Sequence, residues 1–239
     1  MSGKFSGKVA LVAGGTGALG RAVSLAFHQE GAQVVVIYRT QEEFDTLRNA
    51  VPHGGSLIEG HRIDVTDEAA VSSLIERVLA QHGELDALVN TVGGYAGGVT
   101  LWELETPILD RMLALNLRSV YALSRAAVRP MLRQGHGVIV NVAAKAAFEH
   151  PGGAAAYAAS KAAAVALLDS MAAELKGTGV RVNSILPSVI DTQANRQAMP
   201  NAAFAKWPKP EEIARVILFL CSDDAKVVHG AALPVYGGS

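Results

Sequence analysis

The chain holds one cysteine, Cys221, among 239 residues. That excludes an intrachain disulfide framework and any zinc cluster built on cysteines. A lone thiol is ordinarily a small buried hydrophobe, and it fits a reducing compartment. Seven histidines are present, but none falls into a His-x-x-x-His or His-Glu-x-x-His spacing, so no metal site is expected. An excess of charge of one sign is also missing: 22 acidic residues stand against 21 basic ones, for a net charge of −1. With no global field and no block of like charges, nucleic acid is not an expected partner. No apolar run approaches the ~18 residues that span a bilayer, so no membrane partner is expected. The first apolar run, Val9 to Ala13, is too short for a signal peptide and leads straight into glycines, so a cytoplasmic location is expected. Aromatic residues make up only 5% of the chain, so their placement carries information.

What the chain does have is apolar side chain, at 50%, with 18% charged residues. This suffices for a sizeable core and is too little charge for a disordered chain. Short β-rich runs alternate with longer helical stretches. Strands are expected at Val9–Val12, Gln33–Tyr38, Leu57–Ile63, Leu85–Val89, Val138–Val142, Val180–Leu186 and Ala232–Tyr236. Helices are expected over Ala18–Glu30, after a Thr40-x-x-Glu43 capping box, after a Thr66 cap, after Thr106-Pro107, over Ala155–Lys176 and from Pro210. Seven strands alternating with helices predict one α/β domain over residues 1–239, a doubly wound parallel sheet of the Rossmann type with helices on both faces. Three long irregular stretches, 93–105, 143–155 and 188–208, each follow a strand. They belong at the carboxyl edge of the sheet, where open α/β sheets bind ligands.

Between the first strand and first helix runs Gly14-Gly15-Thr16-Gly17-Ala18-Leu19-Gly20. Glycines there permit a tight turn and close approach of the backbone to a pyrophosphate, and the helix N-terminus offers free N–H groups and a positive dipole end. The second strand ends in Tyr38-Arg39, with no acid between Gln33 and Gln41. Arg39 suits a 2′-phosphate where a carboxylate would favour a free ribose hydroxyl, so NADP(H) is expected over NAD(H). Tyr157 and Lys161 stand at i and i+4 on the long helix. A lysine ammonium near a phenol lowers its pKa, and a phenol tuned toward neutrality can move a proton during hydride transfer. Tyr95, Trp102, Phe148, Phe204 and Trp207 fall in or near the three long loops. They either form a flat-ring pocket, with Tyr95 and Trp207 on substrate, or staple the loops to the sheet. Lys145 either contacts substrate or is solvated.

Together these residues resemble the short-chain dehydrogenase/reductase family over nearly the whole chain. Ala13 and Ala18 depart from its glycine-turn pattern, as alanines at a usual threonine and a usual glycine. The resemblance implies that Gly14, Thr16, Gly17, Ala18 and Leu19 hold the cofactor, and that Asp64 and Val65 contact adenine. It implies that Asn90, Val92 and Gly93 belong to the segment after the fourth strand that lines the cofactor. Pro187, Val189, Ile190 and Thr192 would line the nicotinamide, Tyr157 and Lys161 would also border the cofactor, with Lys161 holding its ribose, and Asn116 would support the catalytic Lys161 through water. It further implies a homodimer or homotetramer, through the long helix and the one beginning near Pro107.

One departure bears on chemistry. The family's catalytic serine lies thirteen residues before the tyrosine, where this chain has Ala144, and no Ser or Thr lies between Asn141 and Tyr157. Losing such a donor costs ~10²–10³ in rate. Dihydropteridine reductase-like members share this lack, and Gly93–Gly98, Ala144–Ala147 and Leu186–Trp207 resemble theirs. The resulting expectation is an NAD(P)H-dependent oxidoreductase acting on a conjugated small molecule, with a quinonoid dihydropterin as the candidate acceptor. A broad carbonyl or 3-oxoacyl reductase and an NADPH-binding regulatory protein are the alternatives.

Overall fold

A computed structural model describes residues 3–51 and 58–238. Seven parallel strands lie in the order β3-β2-β1-β4-β5-β6-β7. They are β1 (Val9–Ala13), β2 (Gln33–Tyr38), β3 (Ile58–Arg62), β4 (Ala87–Asn90), β5 (Gly137–Val142), β6 (Val180–Pro187) and β7 (Ala232–Val235). The first residue expected in the third strand, Leu57, lies outside the described residues, and the strand ends at Arg62, one residue before the expected Ile63. β1, β4 and β5 are buried along their whole length, as near-continuous apolar strands covered on both faces must be.

Two helical layers cover the sheet. Alternate residues such as Val12, Val36, Val89 and Val140 pack beneath α1 (Ala18–Gln29), α2 (Gln41–Asn49) and α9 (Pro210–Cys221). The intervening residues, among them Leu11, Val35, Leu88 and Ile139, face α3 (Glu68–His82), α5 (Ser119–Gln134) and α7 (Ala155–Glu174). The long loops after β4, β5 and β6 hold three short helices: α4 (Thr106–Leu113), α6 (Ala146–Glu149) and α8 (Gln193–Ala198). Residues Ala114–Arg118 form a π-helical segment joining α4 to α5.

Three helix starts differ from expectation by one local choice each. α3 is capped by Asp67, not Thr66: the Asp67 carboxylate accepts from the Ala69 and Ala70 N–H groups. The Thr66 hydroxyl instead donates to Asp64. α4 takes Glu105 as its N-cap, so Thr106 is already helical. Thr40 does stand at the start of α2, but its side chain makes no capping bond.

The order reverses between β1 and β4, which pair directly. Helices following these two strands go to opposite faces, and a crevice opens between their carboxyl ends.

Candidate active site

The glycine turn fills one side of that crevice. Gly14 has a φ of 73°, and a Cβ on Gly20 would lie 2.0 Å from the Gly14 carbonyl oxygen. Both positions therefore need glycine for the turn itself. Gly17 differs: it is the N-cap of α1, carries no side-chain cap, and a Cβ there would meet nothing closer than 3.5 Å. The start of α1 is thus left open, with no acidic residue in its first turn, the arrangement that receives a phosphate. Ala18 is exposed beside Gly17, while Leu19 turns into the core. A dinucleotide's pyrophosphate fits this cradle.

The adenine end is built by β2 and β3. Tyr38 stacks flat on Phe44 at 4.6 Å and donates to Gln41, leaving Arg39 exposed. Asp64 accepts from the Thr66 backbone and hydroxyl, and these bonds, with the Arg39 charge, hold its carboxyl below the usual range. Val65 is buried beside it. The structure adds a residue the sequence reading placed elsewhere. Glu43, expected to close a capping box with Thr40, instead accepts from the Thr16 hydroxyl at 2.9 Å. A carboxylate therefore stands at the glycine turn even though none ends β2. The one signal was the shared helix start: Glu43 lies in the first turn of α2.

Across the crevice, Thr91 is tied to β1 through its N–H and hydroxyl, both donated to Ala13. Asn90 accepts from the Val92 N–H and donates to Asn141. Gly93 then passes between two side chains, since a Cβ there would lie 3.0 Å from both Asn116 Oδ1 and Lys161 Nζ. Asn116 sits in the π-helical segment, fully buried. It accepts from the Gly94 N–H and donates to the Gly94 carbonyl and the Ser160 hydroxyl. Its polar atoms are committed to holding the loop after β4 against α7.

Tyr157 and Lys161 lie one turn apart at the start of α7. Lys161 is buried, donates to the Val142 carbonyl at 2.9 Å, and is pulled by burial down to about 8. Tyr157 is pushed up to about 12, by burial first and then by the neighbouring Tyr95 phenol. The expected lowering of the phenol by Lys161 is therefore corrected here. The ammonium points to a backbone carbonyl, and desolvation outweighs any charge attraction. Tyr157 stands at neutral pH as a firmly protonated acid.

The remaining loops close the site from β5, β6 and β7. Ala144 is buried on the turn after β5, and the Lys145 N–H donates to Pro187. The Lys145 ammonium pairs with Glu149 at 3.3 Å and lies 4.9 Å above the Tyr236 ring. Val189 and Ile190 are half-buried, and the Thr192 hydroxyl caps α8 by accepting from the Asn195 N–H. The aromatics divide. Trp207 is buried against Phe204 and acts as a staple, whereas Tyr95 is 68% exposed with its ring edge-on to Tyr157 at 5.0 Å. Trp102 and Phe148 are exposed.

Among the described residues one grouping has metal-like spacing, Glu84, Asp86 and His136. It lies at the opposite edge of the sheet, in residues that precede β4 and β5, and Lys8 already pairs with Asp86 at 2.9 Å. It takes no part in this site. Among the described residues no helix is long and apolar enough to cross a membrane.

The chain is similar to known proteins over nearly its whole length. A family model described as enoyl-(acyl carrier protein) reductase matches residues 14–239. The 3-oxoacyl-(acyl-carrier-protein) reductase of Thermotoga maritima is 31% identical over 98% of each chain. The meso-2,3-butanediol dehydrogenase of Serratia marcescens is 34% identical over 99% of this chain and 96% of its own. Among solved structures, a short-chain dehydrogenase/reductase from Serratia marcescens superposes with a TM-score of 0.90 at 35% identity, covering 98% of both chains. The gox2181 structure gives a TM-score of 0.91 at 28% identity, covering 98% of this chain and 96% of its own. These relatives support the family and not its dihydropteridine reductase-like branch.

Proposed function

The chain belongs to the short-chain dehydrogenase/reductase family, and from that premise we propose that it reduces a ketone on a small molecule with NADPH, or runs the reverse oxidation. The observation that carries this is the pair at the start of α7. Tyr157 is a protonated phenol at the mouth of the crevice, and Lys161 is a buried cation beside the loop that lines it. A lysine buried without a carboxylate partner is costly to fold, so a site that keeps one supports chemistry over mere ligand binding.

The dinucleotide, when bound, supplies the hydride. Gly14, Thr16, Gly17 and the first N–H groups of α1 hold its pyrophosphate. Asp64 and Val65 border the adenine. Arg39 meets the 2′-phosphate. Lys161 holds the nicotinamide ribose, and the Pro187–Thr192 segment with Asn90, Val92 and Gly93 lines the ring. Tyr157 gives its proton to the substrate oxygen as negative charge develops there. Asn116 fixes the loop after β4 and, through Ser160, the start of α7.

A ketone is preferred over a dihydropterin because two of the relatives, the 3-oxoacyl-(acyl-carrier-protein) reductase and the meso-2,3-butanediol dehydrogenase, carry names of ketone or alcohol chemistry. One of the aromatics that favoured a flat-ring pocket, Trp207, is buried as a staple. The test compares oxidation of NADPH and NADH with a β-keto ester and with a quinonoid dihydropterin. The keto ester should turn over, faster with NADPH. Tyr157→Phe should lose ~10²–10⁴ of that rate with cofactor affinity unchanged. Full activity of Tyr157→Phe, or turnover of the pterin alone, overturns the reading.

A further inference from the structure

Reduction of a ketone places negative charge on one oxygen, and a site with a single donor pays for it in rate. Removing one of two such donors costs ~10²–10³. Here the turn after β5 offers only Ala144, buried and without a polar atom to give. The other donors around Tyr157 are engaged. Lys161 donates to Val142, Ser160 to the Tyr157 carbonyl and Ser188 to the Tyr236 carbonyl. Lys145 is drawn to Glu149 and Tyr236.

Tyr95 is different. Its ring meets the Tyr157 ring edge-on at 5.0 Å and 74°. It is 68% exposed, so a substrate can reach it. Among the described residues its hydroxyl makes no hydrogen bond, and neither does that of Tyr157. The placement of Tyr95 is also built. Asn116 grips both the N–H and the carbonyl of Gly94, the residue immediately before it. On the other side the hydroxyl lies over Gly97, where an added Cβ would come within 2.1 Å of it. A phenol is a good oxyanion donor because it is a strong hydrogen-bond acid that keeps its own proton at neutral pH.

We propose that Tyr95 is the second hydrogen-bond donor to the substrate oxygen, doing from the β4 loop what a serine at position 144 would do from the β5 loop. Tyr157 gives its proton to that oxygen, while Tyr95 donates a hydrogen bond and keeps its own. The proposal rests on the reading of Tyr157 as the acid.

The test uses four proteins, the wild type, Tyr95→Phe, Ala144→Ser and the double variant, with Tyr157→Phe as reference. Phenylalanine keeps the ring contact and removes only the hydroxyl. With the β-keto ester, Tyr95→Phe should lower kcat about 10²-fold and leave cofactor affinity within twofold. Ala144→Ser alone should change kcat less than threefold, yet raise that of Tyr95→Phe at least tenfold, because it returns a donor only where one is missing. Binding gives a second readout that needs no turnover. A cyclic 1,3-diketone, an enolate at neutral pH, should bind Tyr95→Phe about tenfold more weakly, and Ala144→Ser should restore it. Tyr95→Phe with wild-type kcat and enolate affinity, beside an inactive Tyr157→Phe, overturns this proposal alone. A fully active Tyr157→Phe overturns the underlying reading. A loss in Tyr95→Phe that Ala144→Ser does not restore in either measurement makes Tyr95 a packing residue and also overturns the proposal.

Discussion

Lys161 brings an ammonium into a site where the Val142 carbonyl receives it, and burial draws its pKa from 10.5 to about 8. Between those two values the unfolded chain binds the proton and the folded chain does not, so stability rises with pH across that window and is lost as pH falls through about 8. The full effect is about 3 kcal/mol. Lys161→Met removes it. Urea denaturation should show the variant gaining on the wild type by ~2 kcal/mol or more near pH 6 relative to near pH 9.5, whatever the fixed cost of the lost hydrogen bond. Tyr157 works in the opposite sense. Its pKa is raised to about 12, so its contribution is complete below 10 and fades above it. A second residue-scale prediction concerns Glu43, bound to Thr16 at the glycine turn. A carboxylate near a 2′-phosphate opposes the attraction of Arg39. Glu43→Gln should tighten binding of 2′,5′-ADP over 5′-ADP by about fivefold in calorimetry, the modest size expected of an exposed charge. An unchanged ratio would place Glu43 away from the ribose.

The glycine turn separates two demands that one motif imposes together. Gly20→Ala would force a methyl against the Gly14 carbonyl at 2.0 Å and the Gly15 Cα at 2.8 Å. Both are backbone, so the turn must open. A loss of ~2–4 kcal/mol is expected in denaturation, with cofactor binding lost as a consequence. Gly17→Ala meets no atom nearer than 3.5 Å and has an ordinary extended backbone. It should keep the melting temperature and weaken cofactor binding at least tenfold, because its methyl stands over the open N-terminus of α1. Elements of this kind were legible in the sequence because their physics is local. The alternation of strand and helix, the turn glycines and the i, i+4 spacing of Tyr157 and Lys161 need only neighbours along the chain. What was not legible depended on contacts between elements. Asp67 outcompetes Thr66 as a cap because Asp64 takes the threonine hydroxyl. Glu43 leaves its own helix start for a residue 27 positions away. The Tyr157 pKa rises because burial by the surrounding fold and then the neighbouring Tyr95 phenol push it up, while Lys161 one turn on donates to Val142.

At the scale of the molecule, the sheet explains why so much of one helix has nothing polar to show. α7 packs inward against β6 through Ala164, Leu168 and Ala172, and sideways against α4 and the π-helical segment. Yet its outer side still presents Ala159, Ala166 and Ala173 to solvent at seven-residue intervals. Alongside, α5 exposes Tyr121 and Leu132. Small side chains in register along a long helix let a second copy of the same helix approach closely, and a two-fold axis makes such a surface complementary to itself. The family resemblance implies a dimer or tetramer contact on this helix. Sedimentation of the wild type should therefore give a dimer or a larger assembly. Ala166→Arg should convert it to a smaller species, because a long side chain in place of a methyl would hold the paired helices apart. The variant should keep its fold, since Ala166 is exposed in the single chain. It should also lose activity, because the same helix carries Tyr157 and Lys161 at its start. An unchanged sedimentation profile would move the interface to another face of the molecule.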